Sequence, residues 1–252
     1  MRDLMLHNLK NESGIKVKFS KNRYKFQMTT QKKIAKKTVF SLKDRMLNKT
    51  SEIYFDEFGN EIKQIHFSKD DEIISTTVKT YDKNGIITSM EITDKSQVKS
   101  KWEYENSYNQ SQQLQKSIAK QPNTTTIQTY HYNVDNSYDV TTVTNNETIS
   151  IKYYNSKNKL VKIINSINNN QNTLTYDSHN NITEHTEIRQ GRPSRIITYK
   201  NKYNSKNQIS AISSGNIITQ FNYNENGDVT EEIHKTIKGV ITMTIQYHYE
   251  YQ

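Results

Sequence analysis

The chain has no cysteine, and only two prolines and seven glycines among its 252 residues. Without cysteine there is neither a disulfide framework nor a thiolate metal site, and the redox compartment leaves no mark on the sequence. Long apolar runs are missing too. The N-terminus, Met1 to Asn8, lacks the apolar stretch of about seven or more residues that a signal peptide needs, and no segment approaches the roughly 20 of a membrane helix. That leaves a cytoplasmic protein, export without a cleaved signal, or a piece processed from a longer chain. Only 32% of the residues are apolar and the mean hydropathy is −0.94, so a deep multilayer core is excluded. Disorder does not follow, because tyrosine (17 residues) and the β-branched residues recur on a schedule that disordered chains lack.

The net charge of +9 is unevenly spread. Residues 1–50 hold 14 Lys and Arg against 3 Asp and Glu, whereas residues 51–252 hold 21 against 23. This shift divides the chain into a basic N-terminal segment, 1–50, and a near-neutral remainder, 51–252.

The remainder is an internal repeat. An aromatic residue, Asp or Asn, two free positions, Gly or Asn, one more residue and an apolar residue restart at Phe55, Tyr81, Tyr108, Tyr132, Tyr154, Tyr176, Tyr203 and Tyr223. Units of this length cannot bury their own apolar surface and must stack on neighbours. The Asx side chain can bond its own backbone, and the fifth position is Gly59, Gly85, Asn136, Asn158, Asn180, Asn207 or Gly227, the residue types that tolerate positive φ, with Gln112 the one departure. A type I turn closed by a left-handed residue makes a hairpin with a bulge. The aromatic then pairs with the residue six along: Tyr81 with Ile87, Tyr108 with Leu114, Tyr132 with Tyr138, Tyr154 with Leu160, Tyr176 with Ile182, Tyr203 with Ile209 and Tyr223 with Val229. Phe55 would meet Ile62 if its turn held one extra residue. The expected fold is all-β: eight hairpins and a terminal half repeat in an elongated antiparallel array, curled into a spiral or partial shell. The last segment, Tyr247 to Gln252, stops where a ninth hairpin would turn, which predicts one unpaired final strand or a truncated array.

In the basic segment, residues 14–19 and 23–28 alternate as another hairpin would, its lysines blunting an exposed sheet edge. Residues 30–47, with Ile34, Phe40, Leu42 and Met46 loosely in phase, read as a short amphipathic helix. Lys16, Lys18, Lys32, Lys33, Lys36 and Lys37 are candidate anion-binding residues for nucleic acid, lipid headgroups or sulfated glycan, in a salt-dependent manner.

Candidate chemistry is sparse. The seven histidines have no ligand spacing, the Asx turns lack the carboxylates of a calcium loop, and no phosphate loop, nucleophile elbow or paired catalytic carboxylate occurs. The expectation is a protein that is not an enzyme and uses no cofactor or metal. No strand set shows the apolar outer band of a lipid-facing barrel. Aromatics two apart on one strand share a face, which makes Trp102 with Tyr104, Tyr130 with Tyr132, and Tyr247 with Tyr249 either the inward continuation of the apolar stripe, the more ordinary role of such residues, or candidates for stacking on a ligand.

The motifs Tyr81-Asp82-Lys83-Asn84-Gly85, Tyr176-Asp177-Ser178-His179-Asn180 and Tyr223-Asn224-Glu225-Asn226-Gly227 resemble the YD repeats of bacterial RHS and eukaryotic teneurin proteins, over about residues 51–252. The resemblance implies a bacterial surface or secreted protein whose strand-turn-strand units form a shell around a toxin, or mediate adhesion and carbohydrate binding. Three functions are therefore expected. The first is a non-enzymatic scaffold or adhesion module contacting glycan or protein. The second is a fragment or accessory piece of a toxin shell, and the third a cytoplasmic protein binding nucleic acid through residues 1–50.

Overall fold

The computed structural model describes residues 33–43 and 46–252, and among them every element is a β-strand. Each of the eight repeats folds as the turn chemistry dictates. The hairpins are β2 (Met46–Phe55) with β3 (Glu61–Phe67), β4 (Ile73–Tyr81) with β5 (Ile87–Asp94), β6 (Lys99–Tyr108) with β7 (Leu114–Gln121), and β8 (Thr124–Tyr132) with β9 (Tyr138–Thr144). They continue with β10 (Glu147–Tyr154) and β11 (Leu160–Asn165), β12 (Gln171–Tyr176) and β13 (Ile182–Ile188), β15 (Lys200–Tyr203) and β16 (Ile209–Ser214), and β17 (Ile217–Tyr223) and β18 (Val229–Thr236). Strand β14 (Arg195–Thr198) runs into β15, interrupted only at Tyr199, whose N–H donates to the Thr183 carbonyl at 2.8 Å.

The turns explain themselves residue by residue. Asp82 Oδ1 accepts from the N–H groups of Asn84 and Ile86 at 2.8 and 3.0 Å, and Asp177 and Asn204 do the same in their own turns. The fifth position has positive φ throughout, from 60° at Gln112 and Asn207 to 87° at Gly227. All seven tyrosine pairs expected from the spacing are present. Phe55 differs: it pairs with Glu61. Its turn, Asp56 to Gly59, has the same length as the others, and Ile62 is the bulged residue.

The sheet does not end in an open spiral. Strand β1 (Ile34–Lys43) pairs antiparallel with β2 on one side and with β19 (Ile241–Tyr251) on the other, from Ile34↔Tyr251 to Leu42↔Thr244. The 19 strands thus form a nearly closed, barrel-like antiparallel sheet. Two expectations are corrected here. The helix expected over residues 30–47 is, where described, the pair β1 and the start of β2: both backbone edges of β1 are laddered, and that outweighs the weak helical propensity of so short a segment. The final strand is not unpaired, since β19 is held between β18 and β1. The hairpin expected over residues 14–28 lies outside the described residues.

The repeat tyrosines share one face, and burial identifies it as the concave one. Among the described residues every buried one except Ile65 and Thr244 lies on it, including Ile53, Val140, Leu174, Ile209, Phe221 and Tyr247. Among the described residues no large side chain is fully buried, so the core they form is a thin stripe, not a filled interior. The outer face is polar, as at Lys99, Lys101, Glu103 and Glu105 of β6.

Candidate ligand-binding face

The concave face is stapled across its seams by tyrosine hydroxyls. Between successive hairpins the ladder stops at the residue next to the bulge, for example at Lys63↔Val78 and Lys116↔Thr129, two residues short of the strand's first carbonyl. The carbonyl beyond it takes a side-chain donor. Tyr81 donates to Glu61 O, Tyr132 to Leu114 O, Tyr176 to Leu160 O, Tyr223 to Ile209 O and Tyr249 to Val229 O, at 2.5 to 3.0 Å. Where the repeat steps by 27 residues, the tyrosine overshoots. Tyr108 and Tyr203 then donate to the turn carboxylates Asp82 and Asp177, and Asn106 and Asn201 supply the donor to Ile87 O and Ile182 O. The remaining seam, β9–β10, lies beside the one hairpin of the eight without a register shift, and there the ladder runs on to Tyr154↔Tyr138. Those two rings stack at 4.6 Å and 8°. The spacing indicated an aromatic at each position; six of the seven repeat tyrosines also use the hydroxyl that phenylalanine lacks, four on a seam carbonyl and two on a turn carboxylate.

Electrostatics follow from this packing. Burial raises the Tyr81 hydroxyl to about 12, with the Glu61 and Asp56 charges adding to it. Burial also raises Tyr130 to about 12, reinforced by Tyr154 and Tyr132. For Asp82 and Asp177 burial pushes the carboxyl upward, but the hydrogen bonds from Tyr108 and Tyr203 and from the turn N–H groups outweigh it, leaving both below the ordinary carboxylate value.

All six candidate stacking aromatics lie on the concave face, in two groups. Trp102 and Tyr104 of β6 wall a half-open hollow of about 330 Å³, completed by Ser117 and Ala119 of β7 and Thr126 and Gln128 of β8. The register brings these together: Tyr104 faces Ala119, Ala119 faces Thr126, and Ser117 faces Gln128. Small side chains on β7 make the floor, so the aromatic wall stands above it. Tyr130 continues the wall on the far side, donating to Gln128 Oε1 at 3.3 Å, and reaches Tyr138 at 6.4 Å between ring centroids. Tyr132 lies at the next level, 5.2 Å from Tyr138.

The second group, Tyr247 and Tyr249 on β19, sits beside Lys37, whose Nζ lies 4.1 and 5.9 Å from the two ring centroids. Tyr247 donates to the buried Glu232 carboxylate at 2.6 Å, and Glu232 Oε2 is 3.7 Å from His234 Nε2. Burial, then the Glu232 charge, holds the Tyr247 hydroxyl protonated far above its ordinary range. Sequence spacing gave no sign of this cluster, because it depends on the β18–β19 register.

The candidate anion-binding lysines are dispersed. Lys16, Lys18 and Lys32 lie outside the described residues. Lys33 donates to Glu57 O at 2.6 Å; Lys36, on the outer face, pairs with Glu52 and Glu250 at 3.5 and 3.3 Å; Lys37 is on the inner face with the tyrosines. His179 stacks on Tyr203 at 4.2 Å, whereas His185 is buried and bonded to Asn172 Oδ1 at 2.9 Å, and burial lowers its pKa. Among the described residues no group of three or more metal-ligating side chains converges.

No protein-family model matches the sequence, and no curated protein matches it either. Among solved structures, the chain is similar to a porin-like protein from Bacteroides uniformis at 12% identity, over 86% of this chain and 98% of that one, with a TM-score of 0.36. A porin-like protein from Bacteroides vulgatus matches at 9% identity over 87% and 99%, TM-score 0.37. The TcdB2-TccC3 structure matches at 11% over 79% of this chain and 14% of that one, TM-score 0.36. Likenesses this loose assign neither a family nor an activity.

Proposed function

We propose that the protein is a non-enzymatic binding module, presented outside the cell, whose concave face takes a neutral carbohydrate in the hollow between Trp102, Tyr104 and Gln128. The observation that carries this reading is the composition of that hollow: two aromatic rings as a wall, a floor of Ser117, Ala119 and Thr126, and one amide. A sugar ring offers a C–H face that stacks on an aromatic ring and an edge of hydroxyls that bond to hydroxyl and amide groups, and this surface has both kinds of partner. At about 330 Å³ the hollow is at the small end of ligand sites, which suits one or two sugar units held against a longer polymer. None of its lining residues titrates near neutrality, which favours an uncharged ligand and a binding constant insensitive to salt.

Trp102 is the sole tryptophan, so its fluorescence reports this site alone. Titration with neutral oligosaccharides should shift or quench that emission in both low and high salt. On a glycan array the profile should collapse for Tyr104→Ala and Trp102→Ala. Identical array profiles for the wild-type and both variants would overturn the reading, and binding that vanishes at high salt would favour the basic N-terminal segment as the contact.

A further inference from the structure

The polar groups of the hollow between Trp102, Tyr104 and Gln128 have a donor and acceptor pattern that is fixed by residues behind them. Asn106 Nδ2 donates to Ile87 O at 2.8 Å, so the atom that Asn106 presents to Ser117 is its Oδ1, an acceptor. The buried Ser117 hydroxyl commits its one hydrogen to that oxygen, at 2.8 Å, and towards the hollow it has only lone pairs to offer. Gln128 stands directly across the β7–β8 ladder from Ser117. Tyr130 donates to Gln128 Oε1 at 3.3 Å, and burial, with Tyr154 and Tyr132 adding to it, raises the Tyr130 hydroxyl to about 12, so it remains a donor at neutral pH. The Nε2 hydrogens of Gln128 are then the free end of the amide, and among the described residues nothing takes them.

The floor therefore sets an acceptor on β7 against a donor on β8. Beside them Ala119, opposed to Tyr104 on one side and Thr126 on the other, adds a methyl group. Thr126 Oγ1 shares a hydrogen bond with Thr144 Oγ1 at 3.0 Å and supplies a second acceptor. A secondary amide that ends in a methyl group complements this set: its carbonyl accepts from Gln128 Nε2, its N–H donates to Ser117 Oγ, and its methyl lies on Ala119 under the aromatic wall. A hydroxyl on the same carbon has one oxygen to meet both partners and nothing to lay on Ala119. A free amino group, protonated at neutral pH, has no acceptor for Gln128. We propose, on the carbohydrate reading of this hollow, that its ligand is a 2-acetamido sugar, stacked on Trp102 and Tyr104 with the acetamido group held between Ser117 and Gln128. Gln128 then determines the specificity, and Tyr130 positions it by holding the amide with its nitrogen free.

Titration of the full chain with the N-acetylglucosamine trimer and with the glucose trimer, followed by Trp102 emission, tests the assignment, because the sugar units of the two probes differ only at C2. The acetamido trimer should bind at least about tenfold more tightly. Gln128→Glu exchanges the amide donor for an acceptor and should bring the ratio of the two Kd values close to one. Tyr130→Phe keeps the ring, frees the amide to turn, and should lower the ratio severalfold with an unchanged circular dichroism spectrum. Equal affinities of the wild-type for the two trimers would overturn the proposal and leave the hollow a sugar site. A ratio indifferent to Gln128→Glu, or a glycan array led by sugars without an acetamido group, would do the same. Emission that answers to neither trimer, with no neutral glycan held on the array, would remove the carbohydrate reading and the proposal with it.

Discussion

Removing one hydroxyl should test whether the tyrosine staples hold the barrel together. Tyr81→Phe keeps the ring, its pairing with Ile87 and its place on the concave face, and deletes only the 2.7 Å bond to Glu61 O. That carbonyl lies two residues beyond the last ladder pair between the two hairpins, Lys63↔Val78. A half-buried carbonyl left without its donor costs about 1–2 kcal/mol. For a chain of this size that lowers Tm by about 2–8 °C. The control is Tyr153→Phe. Tyr153 lies on the outer face, with Lys162 Nζ 5.9 Å from its ring, so its hydroxyl should contribute less than about 0.5 kcal/mol. Thermal unfolding followed by circular dichroism at neutral pH measures both. Equal losses for the two variants, or none for Tyr81→Phe, would refute the idea that the hydroxyl, and not the ring, joins the hairpins.

Two further outcomes follow from the turns. Asn180→Val and Gly227→Val place a β-branched residue at φ of 64° and 87° and should each cost more than about 1 kcal/mol in urea titrations, whereas Ser178→Ala should cost nearly nothing. Asp82 and Asp177 have folded-state pKa values below their unfolded ones, so their contribution is complete above about pH 4 and is lost as pH falls through the depressed values. Asp177→Asn should therefore lower stability at pH 7 and flatten its decline below about pH 4, read by denaturation at a series of pH values.

What the sequence made legible is what is local. A turn of Asx, two free positions and a left-handed residue is encoded within five residues, so all eight hairpins and seven tyrosine pairs could be read directly. For Phe55 the pairing with Ile62 required one extra turn residue; the turn has the ordinary length, and its geometry selects Glu61. Closure was not legible, since the ladder of β1 with β19 joins opposite ends of the described chain, and a Lys-rich strand with loosely spaced apolar residues resembles a short helix. The candidate site was half legible. The aromatics and their shared face follow from alternation, but the floor under Trp102 and Tyr104 comes from registers across three strands, which the unequal return turns set. The Glu232–Tyr247 bond was hidden for the same reason.

The ladder between β1 and β19 also has a temporal side. Every other seam joins segments made close together in time, and each can zip as soon as its turn forms. This seam must wait for the final strand, and it carries the loop-closure entropy of nearly the whole chain. Until it forms, a ring of finished hairpins has two bare backbone edges, each able to recruit a strand from another chain. Joining those edges is the slow step expected in refolding and the point at which aggregation competes, so the yield of native protein should depend on chain concentration more steeply than hairpin formation alone would require.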